Sequence, residues 1–170
     1  MRRLVVGVVL ATLAQVEGQP LPVPFFEQQK NGCGAASVAM VMHYWSVQKA
    51  GAPASPEPAD VYRSLYDAKL GGIPLAQMKR YLEDRGFRAY TLHGRWSDLE
   101  QHLGKGRPVI VSLKKGRSSP LHYAVVTGIV KDRVLVNDPT RRGGTSMKRP
   151  AFEKQWNQAE FWMLLAAPRE

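Results

Sequence analysis

Gln28-Gln29-Lys30-Asn31-Gly32-Cys33-Gly34-Ala35-Ala36-Ser37 is the stretch on which the reading of the whole chain turns. It holds the only cysteine among 170 residues. That cysteine follows a short polar segment and opens an apolar run, Ala35 to Trp45, that includes Ala36, Val38, Ala39, Met40, Val41 and Met42. A helix apolar on nearly every side belongs in the middle of a core, so this one is expected to be the central buried helix. A thiol at its start faces the positive end of the helix dipole and unpaired first-turn amides, both of which favour thiolate over thiol. Gly34 beside it is expected to leave room for a carbonyl to approach the sulfur. The plain alternative is a small buried core residue, as most free cysteines are. A reactive cysteine therefore has to show partners elsewhere in the chain.

A chain of this length suits one domain with a real core. One cysteine excludes an internal disulfide framework and a multi-cysteine zinc site. The formal net charge is +10, from 24 Lys and Arg against 14 Asp and Glu. The positive residues are scattered, with clusters at Lys114-Lys115-Gly116-Arg117 and at Arg141-Arg142 and Lys148-Arg149. Scattered cations are usually a solvated surface, and no nucleic-acid-binding motif accompanies them, so no nucleic-acid partner is expected.

Met1-Arg2-Arg3 followed by Leu4 to Ala14 has the form of a secretory signal: a short basic start, an apolar stretch, then small residues suited to cleavage near Ala14 or Gly18. It is too short for an ordinary transmembrane helix. Residues 1–18 are therefore expected to be a signal peptide and 19–170 the folded domain, exported to the periplasm or outside the cell. An uncleaved segment would instead leave the protein membrane-associated. Arg2, Arg3 and Glu17 depart with the signal, so the remainder still carries +9.

Gln19-Pro20-Leu21-Pro22-Val23-Pro24 cannot be helical, because alternating prolines hold the chain extended. After the central helix come two more, about 59–69 and 74–85, with Pro74 at a helix start and Gly86 just past an end. A strand at 87–92 follows, then a short helix at 98–103 capped by Ser97. From there the pattern changes to strands at 108–113, 122–130 and 133–137, with a final strand at 161–165. Residues 138–147 read as a Gly- and Arg-rich loop and 150–156 as a short helix. Lys131-Asp132 is a two-residue turn, which makes 122–137 a hairpin. Helices first and an antiparallel sheet second is an α+β arrangement.

A nucleophilic cysteine needs a base, and the base needs an acceptor to orient it. His122 opens one hairpin strand and Asp138 closes the other, so the hairpin brings both to one sheet end. Asn137 is adjacent, but neighbouring strand residues face opposite sides, and only one of the two can reach the histidine. Asp138 is the expected one. His43, on the central helix ten residues after the cysteine, is read as packed rather than catalytic. Upstream of the cysteine, Gln28 and Gln29 each offer an amide donor for an oxyanion, and spacing alone does not choose between them.

Val23-Pro24-Phe25-Phe26-Glu27-Gln28, Cys33 to Val41, Arg107 to Val111, Leu121 to Gly128 and Val136-Asn137-Asp138-Pro139 resemble the motifs of the bacteriocin-processing cysteine peptidases. These are family 39 of the cysteine peptidases, papain-like in fold, and the resemblance spans about residues 23–165. It implies Cys33 as nucleophile, His122 as base, Asp138 as its orienter and Gln28 as an oxyanion-hole donor. The family is best known as a domain of peptide-exporting ABC transporters that cut leader peptides after a double glycine. This chain has no GxxxxGK[ST] phosphate-binding motif and carries an apparent signal, so it resembles the stand-alone, exported branch. The resemblance implies a monomeric peptidase acting on a peptide or protein substrate without a cofactor. Two other outcomes use the same scaffold: a peptide-binding module that does not cut, and a thiol acyltransferase in which an amine replaces water. A metal site built from Cys33, His122 and Asp138 is the poorest reading, because Gln28 upstream fits an oxyanion donor better than a ligand set.

Overall fold

The computed structural model describes residues 19–169. Helix α1, Cys33–Gln48, is buried from Gly34 through Met42. Its neighbours α2, Pro58–Leu65, and α3, Leu75–Asp84, are amphipathic and present Val61, Leu65, Met78, Tyr81 and Leu82 to the same core. Six antiparallel strands follow: β1 (Phe87–His93), β2 (Val109–Leu113), β3 (His122–Val130), β4 (Arg133–Asn137), β5 (Thr145–Lys148) and β6 (Trp162–Pro168). They form one sheet in the order β1-β6-β2-β3-β4-β5. Helices α4, Trp96–Gly104, and α5, Arg149–Asn157, are interleaved with them.

Strand alternation splits the interior into two layers. Ile110, Tyr123, Val125, Leu164 and Ala166 face α1. Val111, Ala124, Val126, Val136 and Met163 face the other way, onto Leu99 of α4 and Phe152 and Trp156 of α5. The sheet is therefore covered on both faces, and the two central strands β2 and β3 are apolar almost throughout. The α+β class and the papain-like cysteine peptidase fold, with a buried helix carrying the cysteine followed by an antiparallel sheet, are both present.

Several local expectations are corrected. The second helix stops at Leu65, and an Asp67–Gly72 bridge closes the turn that follows. Helix α4 starts at Trp96 rather than after Ser97: the Asp98 carboxylate accepts from the Arg95 backbone N–H at 2.7 Å, so aspartate supplies the cap. The loop after Asp138 contains β5, a short edge strand paired with β4. The last strand runs to Pro168 and lies between β1 and β2.

The feature that decides the site is a bulge in the β3–β4 hairpin. Val130 to Gly128 pair with Arg133 to Leu135, then the register slips by one so that Val126 and Val125 pair with Val136 and Asn137. Thr127 is the extra residue. A slip of one exchanges the faces of everything beyond it. Asn137 thus shares the face of Val125, toward α1, and Asp138 continues on the face of Ala124 and His122. Without the bulge the two would trade places.

Candidate active site

Cys33 is the first residue of α1, after Gly32, which supplies no side-chain cap. The first-turn amides are left open toward the sulfur side of the helix. Gly32 is packed tightly: a Cβ there would lie 2.7 Å from the Tyr62 ring and 3.0 Å from the Gln29 carbonyl. Asn31 before it has φ of 56°, so the loop turns sharply into the helix. Gly34 corrects the expectation of an open approach to the sulfur. Its missing side chain makes room for the core, since a Cβ would meet Met78 Sδ at 2.9 Å and Ile73 and Tyr123 at 3.1 Å.

The sheet end meets this helix start. His122 Nε2 lies 2.6 Å from Asp138 Oδ1, and the Cys33 thiol is close enough to act on the His122 pKa. With Nε2 committed to Asp138, Nδ1 is the ring nitrogen left for the sulfur. The Tyr123 backbone N–H donates to Cys33 Sγ at 3.5 Å. Residues 33, 122 and 138 are thus brought together, as the hairpin argument expected. His43 is elsewhere, edge-on to Phe26.

Burial would lower the His122 pKa, but the hydrogen bonds and negative charges of Asp138 and Cys33 outweigh it and lift it to about 9. Burial would likewise raise Asp138. Hydrogen bonds from His122 and from the Thr140 hydroxyl and amide, with the His122 charge, instead hold it well below the usual carboxylate range. Thr140 Oγ1 and N sit 2.7 and 3.0 Å from Oδ1. Arg141 Nε is 3.5 Å from Oδ2, but its side chain is 57% exposed and the pair is weak. Thr140 was missed in the sequence, although Asp-Pro-Thr is a turn in which the aspartate accepts from residues just ahead.

Gln28 is half-buried, its backbone N–H donates to the Pro139 carbonyl at 3.1 Å, and its Oε1 is buried without a hydrogen bond. Gln29 is exposed. No cluster of three or more His, Cys, Asp and Glu suited to a metal occurs among the described residues.

The model of the Peptidase_C39 like family matches residues 20–162. The chain belongs to this family. No curated protein matches it significantly. Among solved structures, a double glycine motif protease from an AMS/PCAT transporter, in complex with the leader peptide, aligns with a TM-score of 0.67 at 19% identity over 88% of this chain and 94% of that one. The peptidase domain of Streptococcus ComA, a bi-functional ABC transporter involved in quorum sensing, aligns at 0.68 and 19% over 85% and 97%. At such identity these likenesses establish the shared fold. Family membership supports a cysteine-peptidase role.

Proposed function

We propose that this member of the family is an active cysteine peptidase that cuts peptide precursors after small residues or Gly-Gly. The observation that carries the reading is that the imidazole held by Asp138 at 2.6 Å stands next in chain to Tyr123, whose backbone N–H donates to the sulfur of the cysteine at the start of α1. In the proposed reaction the Cys33 sulfur attacks the scissile carbonyl carbon. The carbonyl oxygen becomes an oxyanion that accepts from the Gln28 side-chain amide and the Cys33 backbone N–H. The His122 imidazolium gives its proton to the departing amine, leaving a thioester on Cys33. Water then adds to the thioester, His122 taking its proton and returning it to the sulfur as the acid leaves. Asp138 keeps the ring oriented and its charged form stable. The half-buried position of Gln28, against the exposed Gln29, supports Gln28 as the side-chain donor.

The test is hydrolysis of peptides that carry an internal Gly-Gly, followed by mass spectrometry, for wild type and Cys33→Ala. Cleavage by wild type alone is expected, and cleavage retained in Cys33→Ala would overturn the reading. Peptide bound by both proteins and cut by neither would leave a binding module. Transfer of the acyl group to an added amine would identify an acyltransferase.

The N-terminal segment supports export, with the folded domain released after residue 14 or 18. Residues 1–18 lie outside the described structure, and no helix among the described residues is long and apolar enough to cross a membrane. N-terminal sequencing of the protein recovered from its producing cells, split into cytoplasmic and exported fractions, tests this directly. Recovery of the intact Met1 form from the cytoplasm would contradict it.

A further inference from the structure

The segment from Gln19 to Gln28 runs as a strap across the bulged end of the β3–β4 hairpin and ends in the loop that precedes Cys33. Prolines at 20, 22 and 24 remove every second backbone donor from it. Of the two donors left between Pro20 and Pro24, the Val23 N–H turns inward to the Leu21 carbonyl at 2.7 Å, and only Leu21 donates to the sheet, to Thr127 at 2.8 Å. A strap with so few donors cannot join the sheet as a strand. It has to be held through its carbonyls, by a donor supplied from the sheet.

Asn137 is that donor. Its buried side-chain amide gives hydrogen bonds to the Val23 carbonyl at 3.0 Å and the Pro24 carbonyl at 3.3 Å. Gln28 N–H then donates to Pro139, two residues further along the same chain. Packing also holds the strap: Val23 is buried in the core, Leu21, Phe25 and Phe26 pack against it, and Pro20 lies close on Gly128. Open grooves of about 610 and 460 Å³ flank its start, the first lined by Gln19 and Leu21 and the second by Pro20, Leu21 and Val23. The Asn137 amide adds the hydrogen bonds that fix the Val23 and Pro24 carbonyls, just ahead of Gln28.

We propose that Asn137 is a positioning residue for the oxyanion side of the site. On one face of the hairpin it fixes the strap that carries Gln28, while Asp138 on the opposite face fixes His122. The bulge at Thr127 makes this division possible, and the dipeptide Asn137-Asp138 couples the two halves of the machinery. The side chain must donate twice, so aspartate, which offers only acceptors to two carbonyls, is the worst replacement. The inference rests on the proposed peptidase reading for its kinetic consequences, but the clamp itself is a structural statement.

The experiment compares wild type with Asn137→Ser, Asn137→Ala and Asn137→Asp in three measurements. Hydrogen exchange at the Leu21 and Gln28 amides is expected to quicken at least about tenfold in Asn137→Ala, with β2 and the Cys33 end of α1 unchanged. The kcat on a cleavable peptide is expected to fall at least about tenfold, within the range for impairing an oxyanion donor, and KM to stay within about threefold. Alkylation of Cys33 by iodoacetamide, which forms no oxyanion, is expected to stay within about twofold of wild type, because His122 and Asp138 are untouched. Asn137→Ser is expected to be the mildest and Asn137→Asp the most severe.

Unchanged exchange at Gln28 in every folded variant would overturn the clamp. Alkylation falling in step with kcat would also overturn it, since Asn137 would then support the whole site rather than its oxyanion side. If wild type cuts no peptide, the peptidase reading fails while exchange at Gln28 still decides the clamp. Asn137→Ser keeps one donor and provides the folded comparison should Asn137→Asp fail to fold.

Discussion

Replacing Asp138 separates the two tasks assigned to it, orienting His122 and keeping it charged. An imidazole raised from 6.5 to about 9 is favoured in its protonated form by about 3 kcal/mol, at about 1.4 kcal/mol per tenfold. Burial of His122, whose side chain is only 25% exposed, works against that gain. The carboxylate at 2.6 Å therefore has to supply both a hydrogen bond and a charge. Asp138→Asn keeps an acceptor oxygen for Nε2–H and removes the charge, so the ring stays oriented while its proton is held less tightly. Asp138→Ala removes both. The assay is the pH profile of kcat/KM, whose alkaline limb reports loss of the imidazolium in the Cys33–His122 pair. Wild type is expected to lose activity as pH rises through about 9. In Asp138→Asn the limb is expected to move down by about one pH unit or more, with the plateau within about tenfold of wild type. In Asp138→Ala the plateau itself is expected to fall by about 10²-fold or more, as for loss of a positioned acid–base. An alkaline limb that stays near 9 in both variants would refute the assignment of Asp138 as the source of the His122 charge.

The same linkage reaches stability. A folded-state pKa above the unfolded value stabilises fully below pH 6.5 and is lost as pH rises through about 9, so thermal stability of wild type should fall across that window and the slope should flatten in His122→Ala. Asp138 acts with the opposite sign, its contribution being present above pH 3.8 and lost on acidification, which Asp138→Asn should blunt. Gly34→Ala forces a methyl against Met78, Ile73 and Tyr123 and is expected to cost about 1–3 kcal/mol, a Tm drop of about 2–12 °C by calorimetry. An unchanged Tm would return Gly34 to a role at the sulfur. Arg141 and Arg142 flank the Asp138 strand end on exposed backbone, and converting both to Gln is expected to slow turnover of acidic peptides more than neutral ones. Equal slowing of both would remove charge from the account of substrate choice.

The parts legible in the sequence were those written in local pattern. An apolar run after Cys33 marked the buried helix, and a two-residue turn at Lys131-Asp132 marked the hairpin that joins His122 to Asp138. Asp138 rather than Asn137 lies against His122, and the cause is not visible in the local pattern. The bulge at Thr127 sets the faces, and nothing in the local pattern announces it. Gly128 is pressed by the strap, where a Cβ would lie 3.1 Å from Pro20 Cα, a contact between residues far apart in sequence. Strand β5, Thr145–Lys148, was hidden for a different reason: at the sheet edge its residues are half-buried or exposed, so no apolar alternation marks it. The place of β6 between β1 and β2 is a matter of long-range pairing that local pattern does not encode. Gly34 misled because a glycine needed for packing looks the same as one needed for access.

The most direct test of the central claim is the rate of Cys33 alkylation by iodoacetamide from pH 5 to 10 in wild type and His122→Ala. A working Cys33–His122 pair predicts fast alkylation that persists at mildly acidic pH in wild type and falls by about tenfold or more there in the variant. Alkylation that rises only toward the free-thiol range of about 8.5, and that is the same with and without His122, would contradict it.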